Sequence, residues 1–289
     1  MLASEPLQVD RLGGTELNQQ KNKANDDAFR LDGQTAVVTG ASSGIGRAIA
    51  IELARAGANV VVSGHRNLSG LRETHDQIVA VGSQCRELHC DLSSPDVERL
   101  VDDAWDAFGH VDAWLNIAGA DVLTGSDGKL PFEAKLERLW NVDVAGTIRI
   151  SRLVGQRMRQ QGSGSIVNMG WDQAHIGQAG DSGELFAATK GAVMAFTLSL
   201  ARSLGPAVRV NCLAPGWIKT KWGEDAPEFW DQRARGESLL ERWGTPEDVA
   251  WAARYLVSPA GAFINGQIVP VNGGAQPWPS RLTRREGDS

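Results

Sequence analysis

The sequence predicts a single α/β domain built on a doubly wound parallel sheet, with helices on both faces and three layers in all. Short apolar runs of strand length alternate along the chain with amphipathic stretches of helix length. The runs are apolar at consecutive positions, which is typical of strands that are buried on both faces. With 289 residues and a hydrophobic content of 42%, the chain can bury one large core.

Each element follows from this alternation in turn. The first half contains the strand TAVV, a helix over 47–55, the strand NVVVS, a helix over 68–81, a short strand around Leu88 and a helix over 97–108. The second half contains a strand in DAWLNIAG, a long helix over 132–161, the strand SIVNMG, a helix over 184–204, the strand VRVNCLAPG, a helix over 246–257 and a strand in QIVPVNGG. Strands that are each followed by a helix predict parallel pairing, and ligands of such sheets bind at the carboxyl ends of the strands.

The two ends of the chain lack this alternation. Residues 1–30 are polar and aperiodic, so we expect a mobile arm or a segment that docks on a partner subunit. Residues 275–289 follow the last strand and form a tail that contains proline and arginine. The predicted folded domain therefore spans residues 31–274.

Charge and composition bear on the class of partner. A net charge of −6 gives no electrostatic reason to expect nucleic acid or an anionic membrane surface. No apolar run approaches the ~20 residues of a membrane span and the N-terminus lacks a secretory pattern, so we expect a cytoplasmic protein that acts on small molecules. The three cysteines form no cluster of metal-ligand spacing with histidine, so we expect free thiols and no metal site.

A glycine-rich turn joins the first strand to the first helix in TAVVTGASSGIGRAIAIELA. Gly40 permits a sharp turn, Gly44 lets a pyrophosphate approach the backbone, and Gly46 lets the helix pack close to the strand. The helix N-terminus adds amide donors and the positive end of its dipole, both of which favour phosphate. The turn therefore predicts a dinucleotide site.

Motifs along the chain resemble those of a known family. The stretch TGASSGIG over 39–46 resembles the cofactor turn of the short-chain dehydrogenase/reductase family, including its 3-oxoacyl-carrier-protein reductases. Further similar segments are Asp91 with Leu92 after the third strand, NIAG over 116–119, Asn141 in NVDVAG, and PGWIKT over 215–220. The resemblance covers residues 31–274 and implies a Rossmann-type fold.

The resemblance also implies a nicotinamide dinucleotide as the cofactor. The residues that it places at the cofactor are Gly40, Ser42, Ser43, Gly44, Ile45, Gly46, Asp91, Leu92, Asn116, Ala118, Gly119, Lys190, Pro215, Gly216, Ile218 and Thr220. Members of the family commonly form dimers or tetramers, so we expect a homodimer or homotetramer, with Trp140 and Phe196 as plausible contact residues.

The end of the second strand, VSGHR, predicts which dinucleotide is preferred. NAD-selective relatives carry an acidic residue there, whereas this chain has none. Arg66, with Ser63, His65 and Ser42 nearby, can receive a 2′-phosphate through charge-assisted hydrogen bonds. We therefore expect NADP(H) rather than NAD(H); the alternative is that Arg66 only begins the next helix on the surface.

The catalytic positions implied by the resemblance are altered. The family uses a tyrosine four residues before a lysine, a serine that binds the substrate carbonyl, and an asparagine that holds a water linked to the lysine. Lys190 and Asn141 remain, but Phe186 stands where the tyrosine is expected. The serine position falls on or near Trp171 or Asp172, and the only tyrosine, Tyr255, lies in the predicted late helix.

A substitute proton donor is expected in the same segment. Asp172 leaves the carboxyl end of a strand beside a tryptophan, where burial can raise the pKa of its carboxyl. His175 is the second candidate, because the ordinary imidazole pKa of ~6.5 suits acid–base work. The alternatives are that Asp172 caps a turn and that His175 is an exposed loop residue.

Tryptophans border the predicted substrate pocket and favour a flat or apolar ligand. They are Trp171, Trp217, Trp222 and Trp230. Three functions fit the sequence. The first is an NADP(H)-dependent reductase or dehydrogenase with a substitute donor, the second is a lyase or isomerase on the same fold, and the third is a catalytically silent NADP(H)-binding protein.

Overall fold

The structure is a computed structural model that describes residues 28–275 except 96 and 225. Residues 1–27 of the predicted arm (1–30) and residues 276–289 of the predicted tail (275–289) lie outside the described residues, as does the side chain of Trp222. The last part of the predicted arm, residues 28–30, is bound to the domain: the amide of Ala260 donates to the carbonyl of Ala28, and the Arg254 guanidinium donates to the carbonyl of Phe29.

A seven-stranded parallel sheet forms the middle of the described part of the chain, in the order β3-β2-β1-β4-β5-β6-β7. The doubly wound prediction is therefore confirmed. The strands are β1 (Thr35–Thr39), β2 (Asn59–Gly64), β3 (Cys85–His89), β4 (Ala113–Asn116), β5 (Gly164–Met169), β6 (Val208–Pro215) and β7 (Ile268–Val271). The order reverses between β1 and β4, and the crevice at such a reversal is where open α/β sheets bind ligands.

Helices cover both faces of this sheet. They are α1 (Gly44–Arg55), α2 (Leu68–Ala80), α3 (Glu98–Phe108), α4 (Phe132–Leu139), α5 (Thr147–Gln161), α6 (Asp181–Leu204), α7 (Lys221–Glu224), α8 (Glu228–Gly236) and α9 (Pro246–Val257). The long helix predicted over 132–161 is continuous, but a π-helical segment, Trp140–Gly146, joins α4 to α5. The sequence pattern missed α7 and α8, which are short and polar.

Two hydrophobic clusters fill the spaces between the layers. One packs α1 and α9 against the sheet and contains the small-residue stretch around Ala50 and Ala54. The other packs α3, α5 and α6 against the opposite face and encloses Trp114. Because both faces of the central strands are buried, their apolar runs are continuous, which is the pattern that predicted them.

Helix α6 corrects one expectation from the sequence. By length and composition it is apolar enough to cross a membrane, although no run of that length was expected. In the structure it lies beside β5 and β6, with Val193, Leu200 and Leu204 buried. In the structure 33% of its apolar 18-residue window is buried, and one such helix is weak evidence for a membrane span.

Candidate active site

The glycine turn folds as its sequence predicts, and packing explains why each residue is glycine. Gly40 has a φ of +68°, and a Cβ atom there would lie 2.6 Å from the Cα of Ala118. A Cβ atom on Gly46 would fall on the carbonyl of Gly40, so only glycine lets α1 start this close to β1. Gly44, with a φ of +53°, begins α1.

The segment after β6, which is part of the predicted cofactor site, meets this turn. A Cβ atom on Gly44 would lie 3.4 Å from the Thr220 methyl group, so the segment after β6 reaches the N-terminus of α1. The Ser43 side chain precedes that helix without capping it. Thr220 is held by a hydrogen bond from its amide to the carbonyl of Ile218, which is buried. The space in front of Gly44 thus lies between the N-terminus of α1 and the Thr220 side chain.

The NIAG segment is positioned by Thr39. Its hydroxyl oxygen accepts hydrogen bonds from the amides of Ile117 and Ala118, which hold that backbone against the glycine turn. The Asn116 side chain, by contrast, belongs to a buried network: it accepts from the Trp114 indole and donates to Ser151 and Asn168. The side chain of Asn116 therefore joins strands β4 and β5 through this network.

The remaining predicted cofactor residues lie at the carboxyl edge of the sheet. Ser63 is buried, and its carbonyl accepts from the amide of Ala41. Leu92 is buried and its carbonyl abuts Gly146, while the Ser42 carbonyl accepts from the Arg47 guanidinium. The others at this edge are Ile45, which packs against the core, Gly119 beside Asp143, Pro215 at the end of β6 and Gly216.

The end of β2 lies near acidic side chains from other segments of the chain. Arg66 forms an ion pair with Asp127 at 3.0 Å, and Asp127 is also 3.1 Å from Arg138. The His65 imidazole lies 3.8 Å from the carboxylate of Asp91. Carboxylates from two other segments thus approach the strand end that carries none itself, and no local sequence signal reveals this.

Lys190 is paired with a residue that the sequence reasoning missed. Its ammonium lies 2.8 Å from the carboxylate of Asp143, whose side chain is only 1% exposed. The other Asp143 oxygen accepts from the amide of Ala120, at 2.8 Å. Asn141, which was predicted to serve Lys190, lies two residues earlier, and residues two apart do not share a helix face. The geometry favours Asp143 at this position.

Asp143 lies on the buried face of its helix. The buried positions of this helix run from Leu139 through Asp143 and Thr147 to Ile150, which is the spacing of one helix face. An acidic residue within such a buried stripe needs a partner, because an unpaired charge in the interior is costly. The π-helical segment that contains Asp143 is also a feature found frequently at functional sites.

Phe186 and Trp171 face one another. Their ring centroids are 6.3 Å apart and the planes lie at 64°, an edge-to-face arrangement. Phe186 lies on α6, one turn before Lys190, and packs against a small apolar cluster that contains Val122, Leu139 and Leu185. The wall beside Lys190 is therefore aromatic and apolar.

Asp172 is buried at the carboxyl end of β5, beyond Trp171. Its Oδ2 accepts from the Asn272 amide at 3.1 Å and lies close to Gly216. Its Oδ1 is buried without a hydrogen-bond partner within the described part of the chain. Burial raises the pKa of this carboxyl from 3.8 to about 6. His175, at the end of the same 3-10 turn, is exposed.

Residues 217–243, which we call the lid, contain a cluster of aromatic and charged side chains. The rings of Trp217 and Trp230 lie 5.7 Å apart, with the guanidinium of Arg233 near both. The Glu237 carboxylate accepts from Arg233, from the Trp217 indole at 2.6 Å and from Gln173 at 2.9 Å. Because Gln173 follows Asp172, Glu237 ties the lid to the candidate site.

Among the described residues, no group of three or more histidine, cysteine or acidic side chains is placed to hold a metal ion. Tyr255 lies in α9, as the sequence predicts, and its ring packs near that of Phe29. No disulfide is formed by Cys85, Cys90 or Cys212 within the described part of the chain, and burial raises the pKa of the Cys85 and Cys212 thiols to about 12. Thiolate formation by Cys85 and Cys212 at neutral pH is therefore disfavoured.

Known proteins are similar to this chain in sequence and in fold. A family model described as enoyl-(acyl carrier protein) reductase matches residues 40–276. The 7alpha-hydroxysteroid dehydrogenase of Escherichia coli (strain K12) is 35% identical over 260 residues, 86% of this chain and 97% of that protein. A solved 7 alpha-hydroxysteroid dehydrogenase complexed with NADH and 7-oxo glycochenodeoxycholic acid has a TM-score of 0.79 at 33% identity and covers 87% of this chain and 97% of its own. A 3-oxoacyl (acyl-carrier-protein) reductase from Agrobacterium tumefaciens C58 with NADP bound has a TM-score of 0.77 at 31% identity, with coverages of 86% and 96%.

Proposed function

The chain belongs to the short-chain dehydrogenase/reductase family of oxidoreductases, and we propose that it is an NADP(H)-dependent member that acts on a carbonyl or alcohol of flat or apolar shape. The single observation that carries this proposal is the cradle formed by the glycine turn and Thr220. Gly44 leaves a space that a Cβ atom would enter, in front of amide donors at the N-terminus of α1. A pyrophosphate fits the chemistry of these donors.

A bound nicotinamide would supply hydride transfer. The residues placed to hold its dinucleotide are Ser43 and Gly44 at the pyrophosphate, and Ile218 and Thr220 at the segment after β6. The orphaned Oδ1 of Asp172 lies in a carboxyl group that contacts Gly216 in this same segment. An unpartnered buried oxygen next to the site supports the presence of a further polar group there when the site is filled.

The preference for NADP(H) is proposed from Arg66. The guanidinium is 63% exposed just beyond the end of β2, and Gly64, the last residue of that strand, has no side chain. Relatives include one with NADH and one with NADP, so membership of the family does not decide the preference. An exposed arginine without a carboxylate on the strand end favours a 2′-phosphate.

Titration of the purified protein with NADPH and NADH, followed by energy transfer from tryptophan, tests this proposal. Arg66→Gln is expected to weaken NADPH binding about tenfold and to leave NADH unchanged, because only NADPH carries the 2′-phosphate. The matched variant Gly64→Asp is expected to reverse the preference. Its Cβ atom would meet Leu71 at 3.5 Å and Ser42 at 3.7 Å, which are ordinary contacts. Equal binding of both nucleotides to wild type would contradict the proposal.

We propose that Asp172 replaces the phenolic proton donor of the family. Phe186 has no hydroxyl group, and Trp171 occupies the place opposite it. The Asp172 carboxyl has a pKa of about 6, so it exchanges its proton close to neutral pH. In the reductive direction it would give this proton to the substrate oxygen, and in the oxidative direction it would take it back.

The proton-donor proposal is tested by two variants. Asp172→Asn is expected to lower kcat by about 10²- to 10⁴-fold while the affinity for NADPH is kept, which is the typical loss when a general acid is removed. Phe186→Tyr, which restores the phenol one turn before Lys190, is expected to recover part of that activity in the Asp172→Asn background. Undiminished turnover by Asp172→Asn would remove Asp172 from the reaction.

The flat or apolar shape of the substrate is proposed from the walls of the site. Trp171 and Phe186 form one aromatic pair, and Trp217 and Trp230 form a second one in the lid. A relative was solved with 7-oxo glycochenodeoxycholic acid, a steroid, which is a ligand of this shape. A panel of polycyclic and simple aliphatic ketones tests the proposal, since NADPH oxidation with aliphatic ketones alone would contradict it.

A second function, binding of NADP(H) without turnover, is favoured by one observation. The charge of Lys190 is neutralised by Asp143 at 2.8 Å, so the lysine is less able to lower the pKa of a neighbouring acid. Tight NADPH binding together with no oxidation of NADPH by any carbonyl in the panel would establish this reading. Turnover of any carbonyl would exclude it.

We propose a cytoplasmic homodimer or homotetramer. Trp140 is 48% exposed at the junction of α4 and α5, and Leu198 is 41% exposed on α6 near the predicted contact residue Phe196. Large apolar side chains exposed on adjacent helices favour burial against a second copy. Sedimentation of wild type and Trp140→Glu checks the assembly, and a monomeric wild type would contradict it.

A further inference from the structure

An ion-pair triad lies beside the adenosine end of the candidate cofactor site. Asp127 belongs to the 3-10 turn Asp127–Lys129, in the connection between β4 and α4. Its carboxylate lies 3.0 Å from Arg66, just beyond β2, and 3.1 Å from Arg138, on α4. The triad therefore joins a segment that follows β2 to a segment that follows β4.

The strand order shows where this connection runs. Strand β1 lies between β2 and β4, so β2 and β4 are separated by two strand spacings, or about 10 Å. The glycine turn leaves the carboxyl end of β1. A contact between groups that follow β2 and β4 thus spans the carboxyl end of β1, beside the place where a dinucleotide would lie.

Charge and exposure distinguish the members of the triad. The Asp127 side chain is only 18% exposed and that of Arg138 29%, whereas the Arg66 side chain is 63% exposed. Two positive charges share one carboxylate, so the triad carries a net charge of one positive unit. Arg66 is the most exposed member and is free to exchange one anionic partner for another, because Asp127 keeps Arg138.

We infer that Asp127 is a specificity-determining residue that competes with the 2′-phosphate of NADP(H) for Arg66. This inference rests on the proposed function. A nucleotide with a 2′-phosphate takes Arg66 from Asp127 and leaves the Asp127 pair with Arg138. A nucleotide without the phosphate leaves the whole triad in place. Asp127 therefore lowers the preference for NADP(H) that Arg66 alone would give, and it links the conformation of the connection over 120–131 to the nucleotide that is bound.

The dissociation constants of NADPH and NADH for three variants test the inference. Asp127→Asn is expected to tighten NADPH binding about two- to fivefold, the range typical of one exposed ion pair, with NADH unchanged. Arg138→Gln is expected to weaken NADPH binding, because Asp127 then has Arg66 as its remaining partner of the triad. Glu133→Gln, an exposed carboxylate in the first turn of α4, controls for the general loss of negative charge.

The signs of these changes distinguish the possible outcomes. Weaker NADPH binding by Asp127→Asn would overturn the inference and show that Asp127 holds Arg66 in place for the phosphate. An equal change in Glu133→Gln would reduce the effect to general charge, which also overturns it. If wild type shows no preference for NADPH, the proposed function fails; if wild type prefers NADPH but Asp127→Asn binds it unchanged, only this inference fails.

Hydrogen exchange gives a readout that does not depend on affinity. Backbone amides over 121–130 are expected to exchange faster in the NADPH complex than in the NADH complex, because the ion pair between Asp127 and Arg66 is broken when NADPH binds. Amides of neighbouring segments serve as the reference. In Asp127→Asn that difference between the two nucleotides should disappear. Equal protection of this segment by both nucleotides in wild type would contradict displacement of Asp127.

Discussion

The cofactor half and the substrate half of the site are built on different principles. Around the glycine turn, recognition depends on backbone: Gly40, Gly44 and Gly46 are fixed by contacts that leave no room for a side chain or by left-handed conformations. Around Lys190, recognition depends on side chains, and Trp171, Phe186 and Asp143 line the site. Backbone requirements admit one residue type, whereas a wall of side chains admits many.

Asp143 is where the two halves meet. One oxygen accepts from the amide of Ala120, which follows the NIAG segment of the cofactor half, and the other pairs with Lys190 of the substrate half. A substitution of Lys190 is therefore expected to affect the backbone of the cofactor half through the Asp143 carboxylate. The difference between the halves teaches that Phe186 can stand one turn before Lys190 while the glycine turn keeps its geometry.

Removing Lys190 is expected to produce the largest effect. In Lys190→Met the Asp143 carboxylate stays buried without its cation, and such a loss costs about 3 to 5 kcal/mol of the free energy of unfolding. Denaturant unfolding measures it. The same variant is expected to weaken NADPH binding, since the amide of Ala120 shares the carboxylate.

The double variant Lys190→Met with Asp143→Asn is the control for this prediction. Asparagine still accepts from the amide of Ala120 but carries no charge, so most of the lost stability should return. A single Lys190→Met variant as stable as wild type would show that the pair contributes little and that the halves are not joined through it.

The glycine turn is tested by alanine at two positions with left-handed backbone. Gly40→Ala places a Cβ atom 2.6 Å from the Cα of Ala118 and is expected to cost about 3 kcal/mol of unfolding free energy, because backbone must shift. Gly82 has a φ of +92°, and a Cβ atom there would have nothing within 4 Å, so Gly82→Ala should cost about 1 kcal/mol. Thermal unfolding and NADPH titration compare the two. Equal losses of unfolding free energy in the two variants would mean that Gly40 is required for its left-handed backbone conformation and not for its close contact with Ala118.

The fold could be predicted from the sequence because its signal is periodic. Runs such as TAVV and NVVVS are apolar on both faces, and in the structure they are the buried central strands β1 and β2. The sequence pattern did not predict the lid helix α8, because Ala234 is its only buried residue and the helix has no apolar stripe. The predicted start of α1 at residue 47 was late, since Gly44 and Gly46 lower helix propensity.

The site could be predicted only where local sequence determines geometry. The glycine turn and the position of Phe186 one turn before Lys190 are local, and the structure has them as predicted. The approach of Asp127 to Arg66 crosses 61 residues of chain, and the pair of Lys190 with Asp143 joins two separate helical elements. Pairings of this kind depend on tertiary packing, so spacing along the chain does not reveal them.

Asp172 gives the only gain in stability among these predictions. Burial raises the pKa of its carboxyl to about 6 from 3.8, so between these pH values the folded state binds more protons than the unfolded state. The contribution of Asp172 to the free energy of unfolding of wild type therefore falls as the pH rises from about 4 to 6 and then stays level. Asp172→Asn lacks this titration, and it is expected to be more stable than wild type by about 3 kcal/mol above pH 6, with no difference below pH 4.

Urea unfolding at a series of pH values measures this difference, with Asp106→Asn, an exposed carboxylate of α3, as the matched control. The gain in Asp172→Asn arises because the amide keeps a hydrogen-bonding group toward Asn272 without the cost of a buried charge. A difference between variant and wild type that does not change with pH would show that Asp172 is not the buried acid of the site. If the stability gain appears together with loss of turnover, the carboxyl is retained at a cost to the fold, which is the relation expected of a group whose role is chemical.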